Sequence, residues 1–195
     1  SSPHFNFKCS TQMIMGTVLF ALLPEIIMGI VLFRWAALIR ILISVASCVL
    51  FEFLFQKVTK QKVVIANLSA CVTGVMMALV CPPTAPVWMF VVGAAVAMIV
   101  AKGLFGGIGS NVFNPALTGR AFMFLSFPAA MGASWLTPKT ISAVDAVSSA
   151  TTLSAIKTGT FVMQDDTLWN YFIGNRAGCI GETSTLLILI SFAFL

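Results

Sequence analysis

From Met13 to Phe33 the chain is apolar except for Thr17 and one ionisable side chain, Glu25. A helix needs roughly 20 consecutive apolar residues to cross the hydrocarbon core of a bilayer, so this segment by itself predicts a transmembrane helix. It is too long for the apolar core of a signal peptide, about 7–15 residues, and no clear small-residue cleavage site follows it. Four more apolar runs read as spans: Ile41 to Phe55 (with a start reaching back to Ala36), Val63 to Val80, Pro86 to Val100 and Leu117 to Met131. Arg34 to Arg40 reads as the tight connector between the first two. Composition agrees with lipid as the solvent. Charged residues are 9% of the chain and hydrophobic residues 59%, whereas a water-facing surface brings a soluble domain to about 25% charged.

The expected architecture is an all-α integral membrane protein, a multi-helix bundle. Membrane helices occupy residues 1–131, a polar extracytoplasmic loop residues 132–181, and the start of a sixth helix residues 182–195. That last run stops after about half the length of a span. With no initial methionine and an end inside an apolar run, the chain reads as part of a longer protein. Two breaks interrupt the apolar pattern. Cys81-Pro82-Pro83-Thr84 cannot continue a helix, because consecutive prolines remove backbone donors. Gly103 to Pro115 holds too many glycines for a regular helix. Irregular backbone at membrane depth is tolerated only where protein or a water-filled cavity surrounds it, although a simple interhelical turn has the same composition.

The net charge of +5 comes from 11 basic and 6 acidic residues. The basic residues are scattered between apolar runs, which fits membrane loops and not a nucleic-acid surface. An N-terminus inside puts Lys8, the Lys57-Lys60-Lys62 cluster, Lys102 and Arg120 on the cytoplasmic side and the long loop outside. Arg34 and Arg40 then face out, against the rule. The five cysteines show no metal-ligand spacing, and His4 is the single histidine, so no metal centre is expected.

The one long polar stretch contains Asp145-Ala146-Val147-Ser148-Ser149-Ala150-Thr151-Thr152. On local chemistry this is a helix start, with Ser148 or Ser149 as N-cap and Gly159 as terminator. It also resembles the flavinylation motif, an Asp followed at fixed offset by Ser-Gly-Ala-Thr. In proteins with that motif a flavin transferase moves FMN from FAD onto the threonine hydroxyl as a phosphoester. The two readings are compatible, because a helix N-terminus suits a phosphate. Asp145, Ser148, Ser149 and Ala150 then form the attachment motif and Thr151 the attachment point. Ser149 stands where glycine is commonest.

The Gly106-Gly107-Ile108-Gly109-Ser110-Asn111-Val112-Phe113-Asn114-Pro115-Ala116 run closely resembles the family that contains the D subunit of the Rnf complex. The B subunit of the sodium-pumping NADH:quinone oxidoreductase belongs to the same family. Ser1-Ser2-Pro3-His4, Thr73-Gly74, Pro82-Pro83-Thr84-Ala85-Pro86 and Ile180-Gly181-Glu182-Thr183-Ser184 match in order, and the opening and loop lengths fit the Rnf branch better. Glu25 departs from the pattern, at a position that is usually apolar in the family.

The resemblance implies a subunit of a multi-subunit complex in the bacterial inner membrane. That complex couples electron transfer between NADH and ferredoxin to movement of Na⁺ or H⁺. Its covalent FMN would hang from Thr151 on the extracytoplasmic side, placed there by a flavin transferase. Asn111, Asn114 and Arg120, clustered in sequence at the glycine-rich break, are candidates for a second, non-covalent flavin such as riboflavin or for an ion path. Glu182 is a candidate for ordering a flavin pocket and Glu25 and Glu52 for ion ligands, although Glu52, close to the lysine cluster, reads rather as a solvated end residue. The alternative function is a pore or secondary ion transporter without a redox role, which broken helices and intramembrane polar groups would also suit.

Overall fold

The computed structural model describes residues 10–132, 156–157, 167–174 and 178–195. Helix α1, Thr11–Ala21, continues after Leu22 as α2, Leu23–Phe33, and the pair runs 23 residues. Pro24 sits in the first turn of α2, where its missing N–H explains the break in the ladder. Arg34 alone, at φ 50°, turns the chain into α3, Trp35–Val58. The connector expected over Arg34–Arg40 is therefore one residue long, and Arg40 lies inside α3. Its Nε donates to the Ala85 carbonyl at 2.8 Å and its Nη1 to the Ala36 carbonyl at 2.9 Å.

The third predicted span, Val63 to Val80, is only partly helical. Val63 and Val64 precede a single 3₁₀ turn, Ile65–Asn67, and α4 occupies Ser69–Leu79. Local turn chemistry overrides the apolar count. The Asn67 Oδ1 accepts from both the backbone N–H and the hydroxyl of Ser69, and Leu68 adopts a left-handed φ of 61°. Eleven residues make a helix about 16 Å long, half of a bilayer core. Gly74 of α4 lies against α3, where a Cβ would come within 2.6 Å of the Val45 Cα, and the Ser44 hydroxyl donates to the Gly74 carbonyl at 2.7 Å.

The chain then passes through buried Cys81, Pro82 and Pro83 into α5, Val87–Ala95. This helix widens into a π-helical stretch over Val96–Gly103. The wide turn shows in the bonds Leu104 N–H to Ile99 O and Gly107 N–H to Lys102 O, both spanning five residues. Residues 104–114 are not helical, and Gly106, Gly107 and Gly109 take positive φ. Helix α6, Pro115–Ser126, stops at Phe127 and is followed by the short α7, Pro128–Gly132, so the predicted fifth span is broken before its end. Helices α8, Thr167–Ile173, and α9, Thr185–Phe194, complete the described elements.

The result is a helical bundle with no strand among the described residues. Two helical stretches have spanning length, Thr11–Phe33 and Trp35–Val58; the other apolar helices are shorter. Helix α3 is the central post and packs on α4, α5 and the π-helical stretch. The core, Cys48, Met77, Met89, Phe90, Ala94, Met98 and Met123 among others, lies between these elements. Because Val45 meets Gly74 through backbone, Gly74→Val has no cheap relief and should cost about 1–3 kcal/mol. Gly16→Ala, whose Cβ would meet nothing nearer than 4.0 Å, should be neutral or slightly stabilising. Unfolding midpoints of the two variants in mixed detergent micelles check the contrast.

Candidate functional site

Two polar clusters lie inside the apolar bundle. The first joins three elements. Lys102, at the end of the π-helical stretch, places its Nζ 2.6 Å from the Glu52 Oε1 of α3 and 2.6 Å from the Ser69 hydroxyl of α4. The lysine and glutamate side chains are 5% and 6% exposed. This corrects the sequence expectation for Glu52, which is not a solvated end residue beside Lys57. The Lys102–Glu52 pairing needs the wide π turn, which sets Ala97, Met98, Ala101 and Lys102 on the buried side. Glu52 lies six residues before the end of α3, about 9 Å into the bundle, where an unpaired charge is expensive.

Glu52 Oε1 also accepts from Gln56 Nε2 at 3.4 Å, and the Gln56 side-chain Oε1 accepts from Val64 N–H at 3.0 Å. Glu52 Oε2 is buried without a hydrogen-bond partner among the described residues. Beside it opens a cavity of about 30 Å³ bordered by Gln56, Gln61, Lys102, Gly103 and Gly107. That volume accommodates a single water molecule.

The second cluster gathers around the two helix breaks. The Ile180 N–H donates to the Cys81 carbonyl at 3.1 Å and the Gly181 N–H to the Leu79 carbonyl at 2.8 Å. A Cβ on Gly181 would come within 2.8 Å of Leu79, so the close approach requires glycine. The Arg120 Nη2 lies 3.9 Å from the Cys179 Sγ. Arg120 also borders a groove of about 350 Å³ with Leu117, Ala121 and Phe124.

Asn114 and Arg120, expected together at the glycine-rich break, both lie on α6 and make different contacts. Asn114 is the N-cap of α6, its Oδ1 accepting from Ala116 N–H at 3.0 Å and Leu117 N–H at 3.4 Å. Arg120 lies six residues on, about 9 Å further along the axis, and is half-buried. Asn111 Oδ1 is buried and has no hydrogen-bond partner among the described residues. The structure sets Arg120 beside Cys179. Asp145, Ser148, Ser149, Ala150 and Thr151 lie outside the described residues. Among those described, no group of His, Cys, Asp or Glu has the arrangement of a metal site.

A model of the NQR2, RnfD, RnfE family matches residues 1–195, the full sequence. The chain belongs to this family. It is 40% identical over 197 residues to the D subunit of the Na⁺-translocating ferredoxin:NAD⁺ oxidoreductase complex of Acetobacterium woodii, covering all of this chain and 60% of that protein. It is 36% identical over 202 residues to the D subunit of the proton-translocating ferredoxin:NAD⁺ oxidoreductase complex of Clostridium ljungdahlii, with the same coverage. The D subunit of the ion-translocating oxidoreductase complex of Escherichia coli strain K12 / DH10B is 42% identical over 144 residues, 73% of this chain and 41% of that one. The chain thus spans about 60% of the length of the first two relatives.

Sequence reasoning missed the Lys102–Glu52–Ser69 contact, although a signal was present: two opposite charges, each inside or ending an apolar run. In this family member, Lys102→Met alone leaves Glu52 buried and uncompensated, which should cost about 3–5 kcal/mol. Lys102→Met with Glu52→Leu should recover most of that loss. Unfolding of the four variants of the double-mutant cycle in mixed micelles measures it.

Proposed function

We propose that this chain is the membrane electron-relay part of an ion-translocating ferredoxin:NAD⁺ oxidoreductase, carrying FMN as a phosphoester on Thr151. The observation that carries the reading is the family match over all 195 residues, within which the Asp145-to-Thr151 stretch resembles a flavin attachment motif. The relatives from Acetobacterium woodii and Clostridium ljungdahlii bear the names of sodium- and proton-translocating versions of one reaction. Bound flavin supplies the ability to accept electrons one or two at a time. The chain contributes the hydroxyl of Thr151, the surrounding recognition stretch and a rigid helical base.

On this reading the complex sits in the bacterial inner membrane with the flavin-bearing loop outside. Exposed Lys57, Lys60 and Lys62 at the far end of α3 support a cytoplasmic position for that end. Lys102 and Arg120 no longer count toward the charge balance of the loops, because each is engaged inside the bundle. The other subunits of the complex and, during maturation, a flavin transferase are the partners. The groove beside Arg120 has the volume of a small-molecule site and supports a place for a second, non-covalent flavin such as riboflavin.

An ion-conducting role without a redox centre is the second reading. It is favoured by the buried Lys102–Glu52 pair lying where a π-helical turn and a half-length helix meet, since broken helices and intramembrane charges mark ion paths. The two readings part at Thr151. Denatured protein from the assembled complex should fluoresce in a gel under ultraviolet light. Thr151→Ala should abolish that fluorescence and Thr152→Ala should retain it. Covalent flavin persisting in Thr151→Ala would move the attachment elsewhere, and its absence from the wild type would favour the second reading.

A further inference from the structure

Arg34 is the whole of the turn between the two helical stretches of spanning length. Its backbone stands at φ 50° and ψ −130°, a conformation that glycine adopts freely and other residues rarely do. The backbone groups are engaged: the N–H donates to the Ile30 carbonyl at 2.7 Å, and the carbonyl accepts from Leu38 N–H at 3.3 Å. The side chain is exposed, and among the described residues it enters no ion pair, hydrogen bond or ring contact. An arginine held where glycine would be less strained, with its guanidinium unused by the described protein, points to a partner outside the chain.

The two stretches, of 23 and 24 residues, are about 34–36 Å long, slightly more than a bilayer's hydrocarbon core. The turn that joins them therefore lies at headgroup level, at the end opposite Lys57, Lys60 and Lys62. Trp35, 73% exposed beside it, is a residue type enriched at that boundary. Arg34 and Arg40 are the basic residues that stand against the charge rule. Arg40 has its partners in the Ala36 and Ala85 carbonyls, which leaves Arg34. A groove of about 330 Å³ opens here, lined by Ile30, Arg34, Trp35 and Leu38, three apolar side chains and one cation. Exposed Ile27 and Val31 of α2 and exposed Ile39 and Leu42 of α3 follow at helical spacing and carry the apolar surface from the groove toward mid-membrane.

We propose that this groove binds an anionic phospholipid, with the lipid phosphate on the Arg34 guanidinium and an acyl chain along Ile30, Leu38 and the apolar strip beyond them. A guanidinium presents its N–H donors in a fork that matches two phosphate oxygens. A choline or ethanolamine lipid brings its own cation to that phosphate, whereas a glycerol headgroup leaves the negative charge for Arg34. The arginine, the tryptophan and the strip each meet the part of such a lipid that lies at their depth. This site does not rest on the flavin at Thr151.

Photo-cross-linking of the complete complex tests the site. The complex is placed in phosphatidylcholine vesicles containing a small fraction of phosphatidylglycerol with a photoactivatable group in its acyl chain, and cross-linked peptides are mapped by mass spectrometry. Label is expected on residues 27–42, displaced by unlabelled phosphatidylglycerol and not by added phosphatidylcholine. Arg34→Gly keeps the turn, because glycine takes its backbone without strain. It should lower the labelling about fivefold, the factor that one basic residue contributes at an anionic membrane surface. Arg34→Lys should keep most of the labelling, and co-purification checks that each variant is assembled. Equal labelling by the phosphatidylcholine analogue, unchanged in Arg34→Gly, would reduce the groove to ordinary bilayer contact and overturn the proposal. So would the absence of label from either lipid, which would mean that another subunit or another stretch of the chain covers the groove.

Discussion

A backbone N–H or C=O placed in lipid has to find its partner within the protein, and the breaks in this bundle are built around that requirement. Helix α4 ends in buried Cys81-Pro82-Pro83, where prolines remove donors and leave carbonyls exposed to an apolar surrounding. The segment before α9 supplies what is missing, through Ile180 N–H to Cys81 and Gly181 N–H to Leu79. Arg40 adds its guanidinium to the Ala85 carbonyl at the same connection. Two stretches far apart in the sequence are thereby fixed to one another. The glycine at 181 and the buried Thr183 and Ser184 follow from how closely they approach.

The same requirement governs charge. Lys102, Glu52 and Ser69 come from three different elements and close a contact that none of them could make locally. Such a pair is weak evidence for stability, because desolvation offsets much of the attraction. It is better evidence for geometry: it fixes the π-helical stretch against α3 and the start of α4 in one register. Oε2 of Glu52, left without a partner beside a small cavity, shows that the contact is not fully closed by the described residues.

The helical class and the first two spans are legible in the sequence because their apolar runs are long and nearly free of charge. So is the proline break, since Pro82-Pro83 allows no other reading. Hydropathy misplaces the third span, counting Val63 to Leu68 as lipid-facing, while Asn67 and the left-handed Leu68 set the helix start at Ser69. Glu52 misleads for a related reason. Its neighbours in sequence are lysines, but its partner lies 50 residues away and is brought in by a π turn that no periodicity predicts. Asn111, Asn114 and Arg120 are close in sequence, yet the axial rise of α6 separates Arg120 from the cap. Asp145 to Thr151 is legible only by resemblance, since a Ser-Ser-Ala-Thr run is also an ordinary helix start.

On the function proposed for this chain, electrons pass through its flavin and ion movement depends on their passage. A paired measurement in inverted vesicles tests that dependence, recording NADH-driven electron transfer and ion uptake in the same preparation of the complete complex carrying Thr151→Ala. Assembly should be intact, as judged by co-purification, because helix packing in lipid does not depend on the Thr151 hydroxyl. Electron transfer and ion uptake should stop together. Ion uptake that continues in assembled complexes lacking the flavin would contradict the account.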